Sequence, residues 1–385
     1  TEVALHDSMG NEARIKYSLS HFWEIPLCIS LRILGYVSAF SVLYENAAFL
    51  CAVSCAGCKS EKLTLTERSS TMNHLTFQQF TKEIVTSIKS YLPTEYADAF
   101  IDIQRIPKPG NKILTGIVIR QSSQGVSPII YLDDAYQEYL NGQKLDTIVQ
   151  GLATTIQNRD FFIPDMRLYS EWERAKKLVV SRLINTKLNT VYIADRPVTS
   201  ISGSDIGIIY DLDLSRVATD EMLSPVTYAH MERWGVTLPD IASAAQENNP
   251  RLRPVRIQSL GQMLSDAIAD VDIQGVDNLL YVITNDGLSH GAVAVTYPGV
   301  NEQIKLRLGE YYLIPSSIHE MLAVSQNKSN PEDLAQLIQS INSSQVPPED
   351  VLDNIPYVLQ DGCLIPAIRT TPMDIPCCDP VIPFS

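Results

Sequence analysis

The sequence predicts an α+β fold of two lobes, each a small mixed or antiparallel sheet with flanking helices. Three observations lead to this prediction. The chain of 385 residues is 45% hydrophobic and 19% charged, which is enough apolar material for a sizeable core. Residues 72–185 combine an amphipathic helical repeat with an alternating hairpin pattern, and residues 186–370 mix short strands with capped helices. We therefore expect one lobe from each range.

The first predicted lobe opens with a helix. Thr76 and Gln79 fit a capping box, and Pro93 ends the repeat. Between them an apolar stripe recurs at three- and four-residue steps, at Phe77, Phe80, Ile84, Ile88 and Tyr91. Strands are predicted at 100–106, 113–119 and 128–132, the first two as a hairpin. Helices are predicted at 134–140, 144–157 and 165–184.

The second predicted lobe interleaves short strands with short helices. Strands are predicted at 189–194, 207–214, 279–284, 292–297 and 311–314. Helices are predicted after Ser224-Pro225, ending at Gly235, at 300–308 and 317–322, and from Asn330-Pro331 onward. A final hairpin is predicted within 355–368. Together these elements indicate an α+β lobe.

Residues 1–71 differ in composition from the rest of the chain. Cys51, Cys55 and Cys58 have the CxxxCxxC spacing that radical-SAM enzymes use for a [4Fe–4S] cluster, and Cys58 also ends a degenerate lipoprotein cleavage pattern. No barrel pattern follows the cysteines, and charged residues cut the apolar runs below the length of a membrane span. We interpret residues 1–71 as upstream sequence and place the true start at Met72.

Charge and cysteine usage limit the partners and the compartment. Thirty Lys and Arg against 44 Asp and Glu give a net charge of −14, which argues against nucleic acid or an anionic membrane surface as the partner. Between Met72 and a Pro- and Cys-rich tail at 371–385, the only cysteine is Cys363, as expected in a reducing cytoplasm. We expect a soluble cytoplasmic protein whose partner is a protein or a small-molecule ligand.

The first candidate site is a predicted strand-to-helix turn, where backbone N–H groups point outward and suit an anion or a carbonyl. Its candidate ligand-binding residues are Ser316, Ser317, His319 and Glu320. Residues Ser317 to Glu320 also fit an ordinary capping box, in which Ser317 and His319 do not face each other. The other two candidate ligand-binding residues, Asn285 and His290, follow another predicted strand. Asn285-Asp-Gly287 also fits a simple turn, and His290 is expected to join the same pocket because both segments follow strands.

The second candidate site is the DxD pair of Asp211 and Asp213. An apolar strand that ends in DxD is typical of haloacid-dehalogenase-type phosphatases, in which the first aspartate attacks phosphorus beside Mg²⁺. Alternate strand residues share a face, so the pair also fits the solvent side of a half-buried strand. No Walker A or dinucleotide fingerprint occurs, and no cofactor is predicted.

Five segments, in this order and spacing, resemble one known family. They are Val126-Ser-Pro-Ile-Ile-Tyr-Leu-Asp133, Trp234-Gly-Val236, Asn249-Pro-Arg-Leu252, Tyr281-Val-Ile-Thr-Asn285 and Ile314-Pro-Ser-Ser-Ile-His-Glu320. The chain resembles the bacterial family known as domain of unknown function 5688 over residues 72–360. The resemblance implies an intracellular bacterial protein, and it supplies no catalytic residues.

Two hypotheses for function remain. The leading one is a non-enzymatic cytoplasmic binding or regulatory protein, because no catalytic signature is complete and no catalytic residue is assigned. The alternative is a hydrolase, either a metal-dependent phosphoesterase that uses Asp211 and Asp213, or an enzyme with its site at the Ser316–Glu320 turn.

Overall fold

The structure is a computed structural model in which residues 2–6, 12–16, 74–120, 129–157, 165–215, 222–259, 262–263, 280–360 and 362–368 are described. The chain divides into two units, residues 60–166 and the remainder. Both units contain helices and antiparallel strands in these ranges, which confirms the α+β prediction. The cysteine motif, the predicted start at Met72 and the tail at 371–385 lie outside the described residues. Near the N-terminus only a strand pair is described, β1 (Glu2–His6) with β2 (Glu12–Lys16).

The smaller unit packs helices against a three-stranded antiparallel sheet of order β3-β4-β5. Its elements are α1 (Phe77–Ser87), β3 (Phe100–Lys108), β4 (Lys112–Arg120), β5 (Ile129–Tyr131), α2 (Asp133–Leu140) and α3 (Leu145–Gln157). The predicted capping box is confirmed, because Thr76 Oγ1 accepts from the N–H of Gln79 and the Thr76 N–H donates to Gln79 Oε1. The predicted stripe then places Phe80, Ile84 and Ile88 in the core of this unit.

The larger unit contains two further sheets, and the first is centred on β8. Its elements are α4 (Trp172–Ala175), β6 (Val179–Asn185), β7 (Val198–Ser200), β8 (Ile206–Asp213), β9 (Leu223–Pro225), α5 (Tyr228–Trp234) and α6 (Leu238–Leu252). Strand β8 pairs antiparallel with β6, β7 and β9. Every residue of β6 and β8 is buried, so both faces of this strand pair are covered.

The second sheet of the larger unit has the order β10-β11-β13-β12-β14-β15. Its elements are β10 (Val255–Ser259), β11 (Leu280–Asn285), α7 (Val300–Leu308), β12 (Tyr311–Ile314), β13 (Met321–Ser325), α8 (Pro331–Gln345), β14 (Tyr357–Gln360) and β15 (Cys363–Pro366). A buried 3₁₀ helix, Gly291–Thr296, contacts both β11 and β6. It therefore lies between the two sheets.

Helix α6 covers the outer edge of β6 through two side-chain amides. Asn249 Oδ1 accepts from the N–H of Ser181 at 3.0 Å, and its Nδ2 donates to Ser181 Oγ at 2.8 Å. Asn248 Nδ2 donates to the carbonyl oxygens of Lys176 and Val179. Backbone groups that have no neighbouring strand on this side are thereby satisfied.

Two predicted helices of the larger unit are wrong. Residues 165–184 form a 3₁₀ turn, the short helix α4 and the strand β6. A short apolar run buried on both faces has no periodicity that separates strand from helix, which explains the error. Residues 317–322 form a loop and the start of β13, so the predicted capping box at Ser317 does not form.

Other boundaries also differ from the predictions. Residues 189–194 were expected as a strand and form consecutive turns, and residues 292–297 were expected as a strand and form the 3₁₀ helix. Helix α5 begins after Thr227 rather than at Ser224, which lies in β9. Its predicted end is confirmed, since Gly235 adopts φ +69°, a conformation that glycine takes most readily.

Candidate functional site

Asp211 and Asp213 are buried in β8, at 0% and 4% exposure, and each is paired with an arginine. Arg182 Nε donates to Asp211 Oδ2 at 2.6 Å, and its Nη2 lies 3.4 Å from Oδ1. Arg253 Nε donates to Asp213 Oδ2 at 2.9 Å. The interpretation of these aspartates as the solvent side of a half-buried strand is wrong. The geometry also gives the phosphoesterase hypothesis no support, because arginines occupy the two carboxylates.

A second arginine and a tyrosine complete a group that we call the arginine cluster: Arg182, Tyr192, Arg196 and Asp211. Arg182 Nη2 donates to the phenol oxygen of Tyr192 at 2.8 Å. The guanidinium carbon of Arg196 lies 3.8 Å from the centre of the Tyr192 ring, and its Nη1 is 3.6 Å from Asp211 Oδ1. The cluster therefore collects two guanidinium groups around one carboxylate.

Burial and charge act in opposite directions on Asp211. Burial favours the neutral acid, but the charge and hydrogen bonds of Arg182 outweigh it, so the pKa of Asp211 is lowered. Arg196 and His290 act in the same direction. In return, Asp211 raises the pKa of Arg182 against the effect of burial. The buried pair is consequently ionised at neutral pH.

His290 and His319 lie side by side although 29 residues separate them. Their ring centres are 5.3 Å apart, and the backbone N–H of His290 donates to His319 Nδ1 at 3.2 Å. His319 Nε2 is 3.6 Å from Asp350 Oδ1. Both histidines are half-buried. The structure thus brings together the two segments that were expected to meet because each follows a strand.

Glu320 follows His319 in the chain and is completely buried. Its Oε1 accepts a hydrogen bond from Ser316 Oγ at 2.7 Å, whereas Oε2 has no hydrogen-bond partner. Ser317 Oγ accepts from the backbone N–H of His319 at 3.0 Å. Neither serine hydroxyl is bonded to an imidazole, so this turn does not contain a serine–histidine nucleophile pair.

Asn285 fixes the loop that carries His290. Its Nδ2 donates to the carbonyl oxygen of Ser289 at 2.7 Å, and the same oxygen accepts from Arg253 Nη1 at 3.3 Å. Arg253 also holds Asp213, so one arginine joins the DxD strand to the histidine loop. The two candidate sites are therefore neighbours.

We call the site around the two histidines the histidine junction. It consists of Asn285, His290, Ser316, Ser317, His319 and Glu320.

Gly291 allows the backbone segments of the histidine junction to approach each other. A Cβ at this position would lie 2.3 Å from Thr284 Oγ1, 2.5 Å from the Asn285 nitrogen and 2.9 Å from the His319 oxygen. The Gly291 N–H donates to that His319 oxygen at 3.0 Å. Any larger residue would therefore separate β11 from the 315–320 loop.

Sequence reasoning missed the arginines that pair with the aspartates. One signal was present: Arg182 is a charged residue inside the apolar run of β6, and a charge at such a position is rarely buried without a partner. Nothing comparable marks Arg196 or Tyr192, which lie in a turn. The tertiary fold brings Arg196 to Asp211, and Tyr192 to the two arginines.

Within the described residues, neither a metal-binding group nor a membrane-spanning helix is found. No three His, Cys, Asp or Glu side chains among them come together as a group that could hold a metal ion. In the same ranges, no helix combines the length and the apolar character needed to cross a membrane.

These features define an α+β protein in which a buried arginine cluster lies next to a histidine junction. The chain belongs to a family of unknown function (DUF5688), whose sequence profile matches residues 77–360. The match includes both candidate sites. No curated protein matches the chain. No solved structure matches it either.

Proposed function

We propose that the protein is a cytoplasmic, non-enzymatic binding protein that holds a small polar ligand at the histidine junction. The observation that carries this proposal is Glu320 Oε2, a fully buried carboxylate oxygen with no hydrogen-bond donor. A buried polar acceptor without a donor costs free energy, so a donor from outside the chain is favoured there. An amine, hydroxyl or amide group of a ligand would supply that donor.

The two imidazoles support a binding role. His290 and His319 are half-buried, and each ring can donate or accept hydrogen bonds. They come from different loops that are fixed by Asn285 and Gly291, so the junction is ordered before any ligand binds. Such a preformed site reduces the entropic cost of binding.

The same hydrogen bonds favour binding over catalysis. The Ser316 hydroxyl donates to Glu320, the Ser317 hydroxyl accepts from a backbone N–H, and the carboxylates of Asp211 and Asp213 are held by arginines. Each of these four side chains is thus held by a partner other than an imidazole.

A thermal-unfolding screen of the whole chain tests the proposal. The panel contains amino acids, phosphosugars, nucleotides and divalent metal ions, because a ligand that binds only the native state raises the melting temperature. We expect at least one compound to stabilise the wild type and to be recovered unchanged after incubation. That shift should be lost in Glu320→Gln and in His319→Ala.

Glu310→Gln is the matched control, because Glu310 is an exposed residue of the same unit whose side chain is paired with Lys305. It should respond to the compound like the wild type. Absence of any shift across the panel would contradict the proposal, as would a shift that persists in Glu320→Gln. Chemical conversion of the stabilising compound would instead support an enzyme.

A further inference from the structure

Arg196 carries unused hydrogen-bond donors inside the larger unit. Its side chain is 8% exposed, and neither Nε nor Nη1 has a hydrogen-bond partner. Leaving a charged donor buried and unpaired is costly, and buried guanidinium groups therefore normally reach acceptors. Arg196 has donor capacity that the described residues of the chain do not use.

The charges around Arg196 do not balance. Arg182 takes both oxygens of Asp211, at 2.6 and 3.4 Å, while Arg196 Nη1 stays at 3.6 Å from Oδ1, beyond hydrogen-bond distance. The next buried carboxylate, Asp213, is already paired with Arg253. The arginine cluster thus has one positive charge more than its carboxylate neutralises, in a buried position where an uncompensated charge is strongly disfavoured.

Tyr192 fixes the guanidinium group of Arg196. The guanidinium carbon lies 3.8 Å from the ring centre, close enough for cation–π attraction, and the phenol oxygen of the same tyrosine is held by Arg182. A planar guanidinium stacked on a ring directs its N–H groups outward from its edge. The Nε and Nη1 donors of Arg196 are therefore held in place without an acceptor of their own.

We propose that Arg196 is the receptor for a small oxyanion, a carboxylate or a phosphoryl group. The oxyanion supplies the missing negative charge and accepts hydrogen bonds from Nε and Nη1. Planar or tetrahedral oxyanions are the ligands that guanidinium groups bind best. This site uses other atoms than the histidine junction, so it goes beyond the proposed function and can be tested separately.

The test is thermal unfolding of the full chain in increasing inorganic phosphate or sodium acetate, with sodium chloride keeping the ionic strength constant. A saturable rise in melting temperature with phosphate alone would assign a phosphoryl ligand, and a rise with acetate alone would assign a carboxylate. Either rise should disappear in Arg196→Met and remain, though weaker, in Arg196→Lys. It should also remain in His319→Ala, which separates this site from the histidine junction.

A second measurement distinguishes a receptor from a structural arginine. In chloride alone, Arg196→Met removes an uncompensated buried charge, so its free energy of unfolding should equal or exceed that of the wild type. A loss as large as that caused by Arg182→Met, or failure of Arg196→Met to fold, would overturn the proposal by making Arg196 a structural partner of Asp211. The proposal is equally overturned if neither anion gives a saturable shift, or if Arg196→Met keeps the shift.

Discussion

Arg182 on β6 and Asp211 on β8 form a buried ion pair across neighbouring strands, with 2.6 Å between Nε and Oδ2 and side-chain exposures of 8% and 1%. The strand register pairs Val180 with Asp211 and Arg182 with Ile209, so the arginine reaches diagonally to its partner. Removing one partner of such a pair lowers the free energy of unfolding strongly, because the other partner would remain as a buried, uncompensated charge.

Arg182→Met should destabilise the larger unit by about 3–5 kcal/mol, because Asp211 loses its main partner and stays buried. The double variant Arg182→Met/Asp211→Leu should be less destabilised than the single one, since it removes the stranded carboxylate. Urea unfolding monitored by circular dichroism measures both. Arg174→Met is the control: its ion pair with Glu171 is nearly half exposed, and its loss should change stability by less than about 1 kcal/mol. A similar small effect for Arg182→Met would contradict the argument.

Gly291→Ala should destabilise the larger unit by roughly 1–3 kcal/mol, because its Cβ would overlap backbone atoms of Asn285 and His319 that cannot move independently. Gly287→Ala is the matched control in the same loop, since its Cβ would meet only a side-chain atom, Asn285 Oδ1, at 3.5 Å. Thermal unfolding of the two variants gives the comparison. If Gly291→Ala melts like Gly287→Ala, the close approach of the two segments is not as described.

His230 should make stability depend on pH. Burial and the neighbouring Arg233 lower the pKa of His230, and its Nδ1 accepts the capping hydrogen bond from the Thr227 N–H. A histidine whose pKa is depressed by folding takes up a proton more readily in the unfolded state. Its stabilising contribution is therefore complete above the unfolded pKa of about 6.5 and is lost as the pH falls from that value through the lower pKa of the folded state.

The variant His230→Gln isolates this effect, because glutamine at the same position can still accept from the Thr227 N–H but does not titrate. Between about pH 7.5 and 5.5 the wild type should lose more unfolding free energy than the variant. Chemical unfolding at a series of pH values in that window measures the difference. Parallel pH profiles would show that His230 is not responsible.

Asn249→Ala should destabilise the larger unit by about 1–3 kcal/mol, because the backbone N–H of Ser181 would remain buried without an acceptor. Glu247→Ala on the same helix removes an exposed side chain and should change stability by no more than about 0.5 kcal/mol. Urea unfolding of both variants tests the contrast. An effect of Asn249→Ala as small as that of Glu247→Ala would mean that water or another group replaces the amide.

Local signals predicted much of the fold. The capping box at Thr76 and the Asn330-Pro331 start of α8 depend on residues within three positions of each other, and both are confirmed. The hairpin of β3 and β4 is likewise confirmed, because alternation and the intervening turn are properties of one short segment. The helix predicted over the residues of β6 was wrong because the signal there is not local. The burial of β6 on both faces comes from β8, α6 and the 3₁₀ helix, which no local window of sequence contains.

In the candidate sites too, features set by local sequence could be predicted, and features set by the tertiary fold could not. The proximity of His290 and His319 was predicted from strand ends alone, which was sufficient because β11 and β13 are neighbours in the sheet. The helix expected at Ser317 was wrong, because a serine and a glutamate three residues apart fit a capping box and a loop equally well. The role of Arg196 depends on a ring and a carboxylate brought to it by folding, so no spacing in the sequence could reveal it.

The amides of Asn248 and Asn249 have a consequence for assembly. An uncovered edge strand invites a strand from a second molecule, which is how many sheets polymerise. On β6 the positions that an incoming strand would use, from Val179 to Ser181, are already bonded to α6. Two copies of the chain can join their sheets at this edge only after α6 has been displaced. The helix therefore protects this edge of β6 from edge-to-edge aggregation.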